Sequence, residues 1–166
     1  MPARSDVVTL SAIATVVAAT DQLTKSAITS RIGPRQERFR LDLIDNLIGL
    51  EYTENHGAAF GLFAGLTPVL AVASIVVLCG LLIHFSRQPR PPLWETVAIG
   101  SIAGGAVGNL VDRVRLGYVV DFFSVGAWPN FNIADSAITI GVLILLWSWM
   151  RSGVSWRPVT AIDRER

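Results

Sequence analysis

The sequence predicts an all-α membrane protein: a four-transmembrane-helix bundle with a small β-rich extracytoplasmic subdomain between helices 1 and 2. Three observations predict it. Of the 166 residues, 51% are hydrophobic and only 16% are charged, where a soluble domain averages about 25% charged. The mean hydropathy is +0.49, and the charges gather outside four apolar runs, each near the roughly 17–25 residues that a helix needs to cross a bilayer. Between the first two runs lies a segment that partly alternates apolar and polar residues instead.

The chain, residues 1–166, reads as a single integral membrane domain with spans at approximately 7–28, 68–85, 93–111 and 133–150. The first span opens with VVTLSAIATVVAAT and turns polar at Asp21, Gln22 and Lys25. A secretory signal peptide, with Arg4 as its basic region, is the other reading of this run; three further spans favour an uncleaved helix. The second span is apolar throughout, with His84 at its end. The third carries Gly100, Gly104, Gly105 and Gly108, small residues that let helices approach closely. The fourth ends in WSWM, and Trp147 and Trp149 suit the interfacial belt. Four spans put both termini on one side. Basic residues are about twice as dense on 1–6, 86–92 and 150–166 as on 29–66 and 112–132, which favours termini in the cytoplasm.

The segment at 29–66 is expected on the extracytoplasmic side. Its stretch from Phe39 to Tyr52 has a strand pattern without proline, with Asp45-Asn46 as a possible turn. ENHGAAFGLFAG then gives a Gly-rich, aromatic turn region. A small β-containing platform on the outer membrane–water interface is expected there.

Composition also excludes. A formal net charge of +1 argues against a nucleic-acid surface. The single cysteine, Cys79, rules out an internal disulfide and a Cys-cluster metal site. His56 and His84 are isolated in the sequence, and no HExxH, G-x-S-x-G or Walker A pattern occurs. No metal and no cofactor are expected.

The remaining polar groups fall into clusters by helical spacing. Asp21 and Lys25 are i,i+4 and share a face. Asn109 stands i,i+3 from Asp112 and i,i+4 from Arg113, at the outer end of the third span. Asn132, Asp135 and Ser136 open the fourth. All three clusters sit at the helix ends away from the termini, which points to one shared site. Each also has a structural reading: Asn132 with Asp135 as a capping box, Asp21–Lys25 as an intrahelical ion pair, and Asp112–Arg113 as a solvated helix end. Asp121 fits no such reading. Val119, Val120, Phe122 and Phe123 flank it, where an unpaired carboxylate is costly. Two carboxylates that share a proton, one taking a proton from water and the other polarising a carbonyl, make the aspartic-protease arrangement. A small proton- or ion-conducting protein using Lys25 and Arg113 as partners is an alternative, but it calls for acids staggered through the membrane depth. A helix-packing scaffold built on the small residues is another, and it leaves Asp121 unexplained.

Five blocks carry a family resemblance: DQLTK at Asp21–Lys25, ENHGAAFG at Glu54–Gly61, GGAVGNLVDR at Gly104–Arg113, VVDF at Val119–Phe122 and FNIADS at Phe131–Ser136. In this order they resemble the lipoprotein signal peptidases (type II signal peptidases) of bacterial plasma membranes. The resemblance implies an aspartic endopeptidase that removes the signal peptide from diacylglyceryl-modified prolipoproteins, cutting just before the lipidated cysteine. It implies Asp121 and Asp135 as the catalytic dyad. Asn55, Asn109, Asp112, Arg113 and Asn132 would order the site, and Asp21 and Lys25 would brace the first helix. The expected partners are the prolipoprotein substrate and membrane lipids, with the enzyme a monomer and its site at the extracytoplasmic face. Phe60, Phe63 and Trp128 would cover the site from outside.

Overall fold

The computed structural model of the chain describes residues 1–33, 40–45, 47–57 and 67–151. Asn46, Phe60 and Phe63 lie outside the described residues, as do 34–39 and the tail from 152. In chain order the elements are α1 (Arg4–Ile32), β1 (Arg40–Ile44), β2 (Ile48–Asn55), α2 (Thr67–Arg87), α3 (Leu93–Leu116), β3 (Val119–Val125), β4 (Trp128–Phe131) and α4 (Ile133–Arg151). Helices α1, α2 and α4 are long and apolar enough to cross a membrane. They expose large apolar side chains such as Val16, Val72, Val76 and Leu143, a surface that suits hydrocarbon and not water.

Helix α3 follows a different logic. It packs against α1, α2 and α4, and Ala98, Ile99, Ile102 and Ala103 are buried. A Cβ added at Gly104 would lie 2.5 Å from the Ala14 carbonyl oxygen of α1, and one at Gly105 2.5 Å from that of Ala134 in α4. The neighbouring backbones therefore touch α3 where only glycine leaves room, and close packing offsets the roughly 1 kcal/mol of helix propensity lost at each glycine. A helix wrapped by three others can carry Glu95, Asp112 and Arg113 without presenting them to lipid.

Helices α1 and α3 run four or more residues past the ends of their apolar runs at 28 and 111. α1 continues to Ile32 because Ile28 and Ile32 pack on Phe122 of the sheet. α3 continues to Leu116 and is closed by Gly117 at φ +82, whose N–H donates to the Arg113 carbonyl. Left-handed backbone at that position suits glycine. Asn109, Asp112 and Arg113 consequently lie inside the last two turns of α3, and Asp112 is buried rather than solvated.

The β structure is larger than a subdomain between helices 1 and 2. One antiparallel sheet, in the order β1-β2-β3-β4, takes only half its strands from that connection. The other half comes from between α3 and α4. VVDFFSV is rich in β-branched and aromatic residues, but Val119 through Phe122 are all buried. With both faces covered, no apolar–polar alternation marks the strand. After β1 the Leu47 N–H donates to the Ile44 carbonyl; the expected Asp45-Asn46 turn includes Asn46, which lies outside the described residues.

His84 is not isolated. It bonds Glu95 Oε1 at 3.1 Å and Gln88 Nε2 at 2.8 Å, and Gln88 donates to Glu95 as well. These contacts tie the end of α2 to the start of α3. At the other end, Thr67 Oγ1 donates to the His56 carbonyl at 3.0 Å, joining α2 to the segment that follows β2.

Candidate active site

The polar residues of all three helix-end clusters meet in one buried network, and Lys25 is its hub. Its ammonium donates to Asp21 Oδ2 at 2.8 Å, Asp112 Oδ2 at 2.8 Å and Asn109 Oδ1 at 2.9 Å. Three donors thus meet three acceptors, and the side chain is 4% exposed. The Asp21–Lys25 pair is therefore more than an intrahelical contact: it joins α1 to α3. Asp21 Oδ1 also accepts the Ala134 N–H at 2.9 Å, and Asp112 Oδ2 accepts the Val120 N–H at 3.1 Å. The first fixes the start of α4 and the second fixes the start of β3, the two elements that carry Asp135 and Asp121.

Asn109 passes this order on. With its Oδ1 facing Lys25, its Nδ2 faces Asp135 Oδ1 at 2.7 Å. Asn132 does the same for the second acid, donating from Nδ2 to Asp121 Oδ1 at 2.7 Å. Asn132 also forms the capping box read from the sequence: its Oδ1 accepts the Asp135 N–H at 2.9 Å, and its own N–H donates to Asp135 Oδ2 at 3.2 Å. The structural reading and the functional one thus concern the same carboxylate. Asn55, from β2, donates to Asp121 Oδ2 at 2.9 Å. One asparagine, Asn132, bonds both acids.

Electrostatics separates Asp121 from an ordinary carboxylate. Burial and then the charge of Asp135 push it up to about 7, against the amide donors Asn55 and Asn132 and the charge of Lys25. Arg113 donates to the Asn109 carbonyl at 3.4 Å and lies within electrostatic reach of Asp135, Asp121 and Asp112. A cavity of about 730 Å³ adjoins this cluster. Asn55, Asn109, Arg113 and Asp135 line its polar end, Leu70, Ala73 and Val77 of α2 and Ile138 and Ile140 of α4 its apolar walls, and Trp128 its outer rim.

All nine residues singled out in the sequence, Asp21, Lys25, Asn55, Asn109, Asp112, Arg113, Asp121, Asn132 and Asp135, thus fall in one connected neighbourhood. Gln22 belongs with them and was missed. Its Nε2 donates to Asp112 Oδ1 at 2.9 Å and to the Gly108 carbonyl at 3.1 Å. Its place three residues before Lys25, on the same helical face, was the available signal. Gly108 is a second omission: a Cβ there would lie 2.6 Å from Asp21 Oδ2, so the network closes only over a glycine.

Residues 13–151 match the family model described as signal peptidase (SPase) II. The chain belongs to the signal peptidase II family. It is an aspartic peptidase by that membership. Among its relatives are the lipoprotein signal peptidase of Moorella thermoacetica, 42% identical over 137 residues, covering 81% of this chain and 88% of the relative, and that of Syntrophomonas wolfei, 41% identical over 126 residues, covering 76% and 82%. A bacterial membrane enzyme solved by the in meso method at 2.3 Å resolution superposes with a TM-score of 0.77 at 31% identity, covering 91% of this chain and 92% of that one. A second, solved at 1.9 Å, gives 0.75 at 32% identity over 84% and 90%. Two acids, Asp121 buried and Asp135 partly buried, thus stand beside a largely apolar cavity. Among the described residues, no three His, Cys, Asp or Glu side chains gather to hold a metal ion.

Proposed function

We propose that Asp121 and Asp135 are the catalytic dyad with which this signal peptidase II removes signal peptides from prolipoproteins. The observation that carries the assignment is the Asn132 side chain, which bonds Asp121 Oδ1 and the Asp135 backbone N–H at once. Two acids so placed titrate as a unit, because both cannot ionise readily in one low-dielectric site. In the working state one is ionised and one protonated. The ionised carboxylate takes a proton from a water molecule, whose oxygen attacks the scissile carbonyl carbon, while the protonated one gives its proton to the carbonyl oxygen. The resulting diol then collapses. Its C–N bond breaks, the leaving nitrogen takes a proton from the dyad, and the signal peptide departs with a new carboxyl end.

The geometry also supports a finer reading of the substrate. A precursor whose cysteine already bears a diacylglyceryl group stays anchored, and its scissile bond, just before that cysteine, is held near the interface. The apolar walls between α2 and α4 suit a signal helix, and the polar end of the cavity meets the bond to be cut. In this reading α3, 24 residues long and so about 36 Å, is the fourth span. The spans approximate residues 7–28, 68–85, 93–111 and 133–150 of a single integral domain. The termini are cytoplasmic, and the sheet and dyad lie at the extracytoplasmic face of the bacterial plasma membrane. Lipids surround the bundle, and the enzyme acts as a monomer, since one chain supplies every group named.

One experiment tests dyad and substrate together. Purified enzyme in detergent, treated with a strong chelator, is expected to cleave a diacylglyceryl-modified precursor at its untreated rate and to leave the unmodified precursor intact. Full loss on chelation, restored by a divalent ion, would replace the paired-acid mechanism with a metal one. Equal cleavage of both precursors would remove the lipid from recognition.

Arg113 is assigned a geometric role. A guanidinium is a rigid fork of donors, whereas an ammonium is a flexible point charge. Arg113→Lys is therefore expected to lose about tenfold or more in turnover, the scale of a misplaced group, although the charge is kept. Cleavage rate and thermal midpoint in detergent check it. A fully active, equally stable Lys variant would reduce Arg113 to a charge at a helix end.

A further inference from the structure

Asn130, in β4, donates from Nδ2 to Thr53 Oγ1 of β2 at 2.7 Å. The two strands are not neighbours, for β3 runs between them. Thr53 pairs directly with Asp121 in the β2–β3 ladder, and directly paired residues project from the same face of a sheet. The Asn130 amide therefore crosses β3 on the face that carries Asp121. Asn55 stands two residues after Thr53, hence on that face too, and its Nδ2 holds Asp121 Oδ2.

The ladders around this crossing are irregular. The β2–β3 register shifts between Leu50 and Thr53, and the β3–β4 register between Phe123 and Val125. Such shifts disrupt the backbone hydrogen bonds locally and re-aim side chains. The β2–β3 shift ends at Thr53, where the regular pairs Thr53–Asp121, Glu54–Val120 and Asn55–Val119 begin, and the side-chain bond from β4 lands on that first pair, two residues before Asn55. Asn130 and Asn55 both line the cavity, as does Asp135.

We propose that the Asn130–Thr53 hydrogen bond is a positioning clamp for the dyad: it ties the cavity-side strand to the strand that supplies Asn55, and so keeps the Asn55 amide on the Asp121 carboxylate. The proposal rests on the reading of Asp121 as half of the dyad. Neither Asn130 nor Thr53 falls within the five blocks that carry the family resemblance. It has an electrostatic signature. Asn55 favours the ionised form of Asp121, so a loosened Asn55 leaves Asp121 holding its proton to higher pH. The other charged groups acting on Asp121, Asp135 from α4, Lys25 from α1 and Arg113 from α3, are untouched by changes at 130 or 53.

The test measures kcat, KM and the pH profile of kcat on a lipidated precursor in detergent. Asn130→Ala, Thr53→Val, their double variant and Thr53→Ser are compared, with Asp121→Asn alongside. Each single variant is expected to lose about tenfold in kcat with KM within about threefold. The double variant should be no worse than either single, and Thr53→Ser, which keeps the hydroxyl, should be near wild type. The alkaline limb of the profile should move up by about half a pH unit in Asn130→Ala and Thr53→Val. Undiminished turnover in Asn130→Ala, losses that add in the double variant, or a loss with an unmoved pH profile would each overturn the clamp. If Asn130→Ala fails to fold, the contrast between Thr53→Val and Thr53→Ser carries the same test. An inactive Asp121→Asn beside a fully active Asn130→Ala rejects the clamp alone. An active Asp121→Asn rejects the dyad and the clamp with it.

Discussion

Asp121→Asn and Asp135→Asn are each expected to lower cleavage of a lipidated precursor by about 10²–10⁴-fold or more, the range for removing a positioned acid or base, while the protein stays folded and membrane-inserted. Asparagine keeps the shape and can accept from Asn132 or Asn109, but it can neither take nor give the proton. Near-normal turnover in either variant would end the assignment. Asp121 carries a second signature, in stability. Burial and the charge of Asp135 raise it from 3.8 to about 7 in the folded chain. An acid raised in this way contributes stability below its unfolded value, and that contribution is lost as pH rises through the folded one. The thermal midpoint of the wild type should therefore fall between about pH 4 and pH 7, and Asp121→Asn should flatten that slope. Catalysis should fail on the alkaline side of about pH 7 for the same reason, as the shared proton leaves. A midpoint that does not vary with pH in wild type would show that Asp121 ionises freely.

The chemistry of this site was more legible in the sequence than its architecture. Helical spacing placed Asp21 with Lys25 and Asn109 with Arg113, because i,i+4 relations survive whatever the helices do. It was silent on the contacts between helices. That Lys25 reaches Asp112 and Asn109 depends on how α1 and α3 lie together, which Gly104 and Gly108 permit without announcing which residues will meet. Asp121 stood out for its apolar neighbours, yet those neighbours concealed its strand, because a segment buried on both faces has no period to read. The Asn130–Thr53 bond left no trace at all. It joins residues 77 apart through a sheet whose second half was not foreseen.

Lys25→Met is expected to be the most disruptive single change outside the dyad. Lys25 is the only cation bonded to Asp21 and Asp112 among the described residues, and both carboxylates are almost wholly buried. Methionine matches the volume but leaves two like charges facing each other in a low-dielectric site. Breaking a buried ion pair by removing one partner costs about 3–5 kcal/mol. At about 2–4 °C per kcal/mol for a chain of this size, the thermal midpoint should fall by roughly 10 °C or more. Activity should fall further than stability alone explains, because Asn109 Oδ1 loses its shorter, charged donor and keeps only Asn132 Nδ2 at 3.2 Å, which holds its Nδ2 less firmly on Asp135. The control is Lys25→Met combined with Asp112→Asn, which removes one stranded charge along with the cation. Stability should recover in part, since the two changes act on one network and cannot add. Activity should not recover, since Asn109 still lacks the Lys25 donor. If the double variant regains cleavage together with its midpoint, Lys25 serves folding alone and the route from its ammonium through Asn109 to Asp135 carries no part of the reaction.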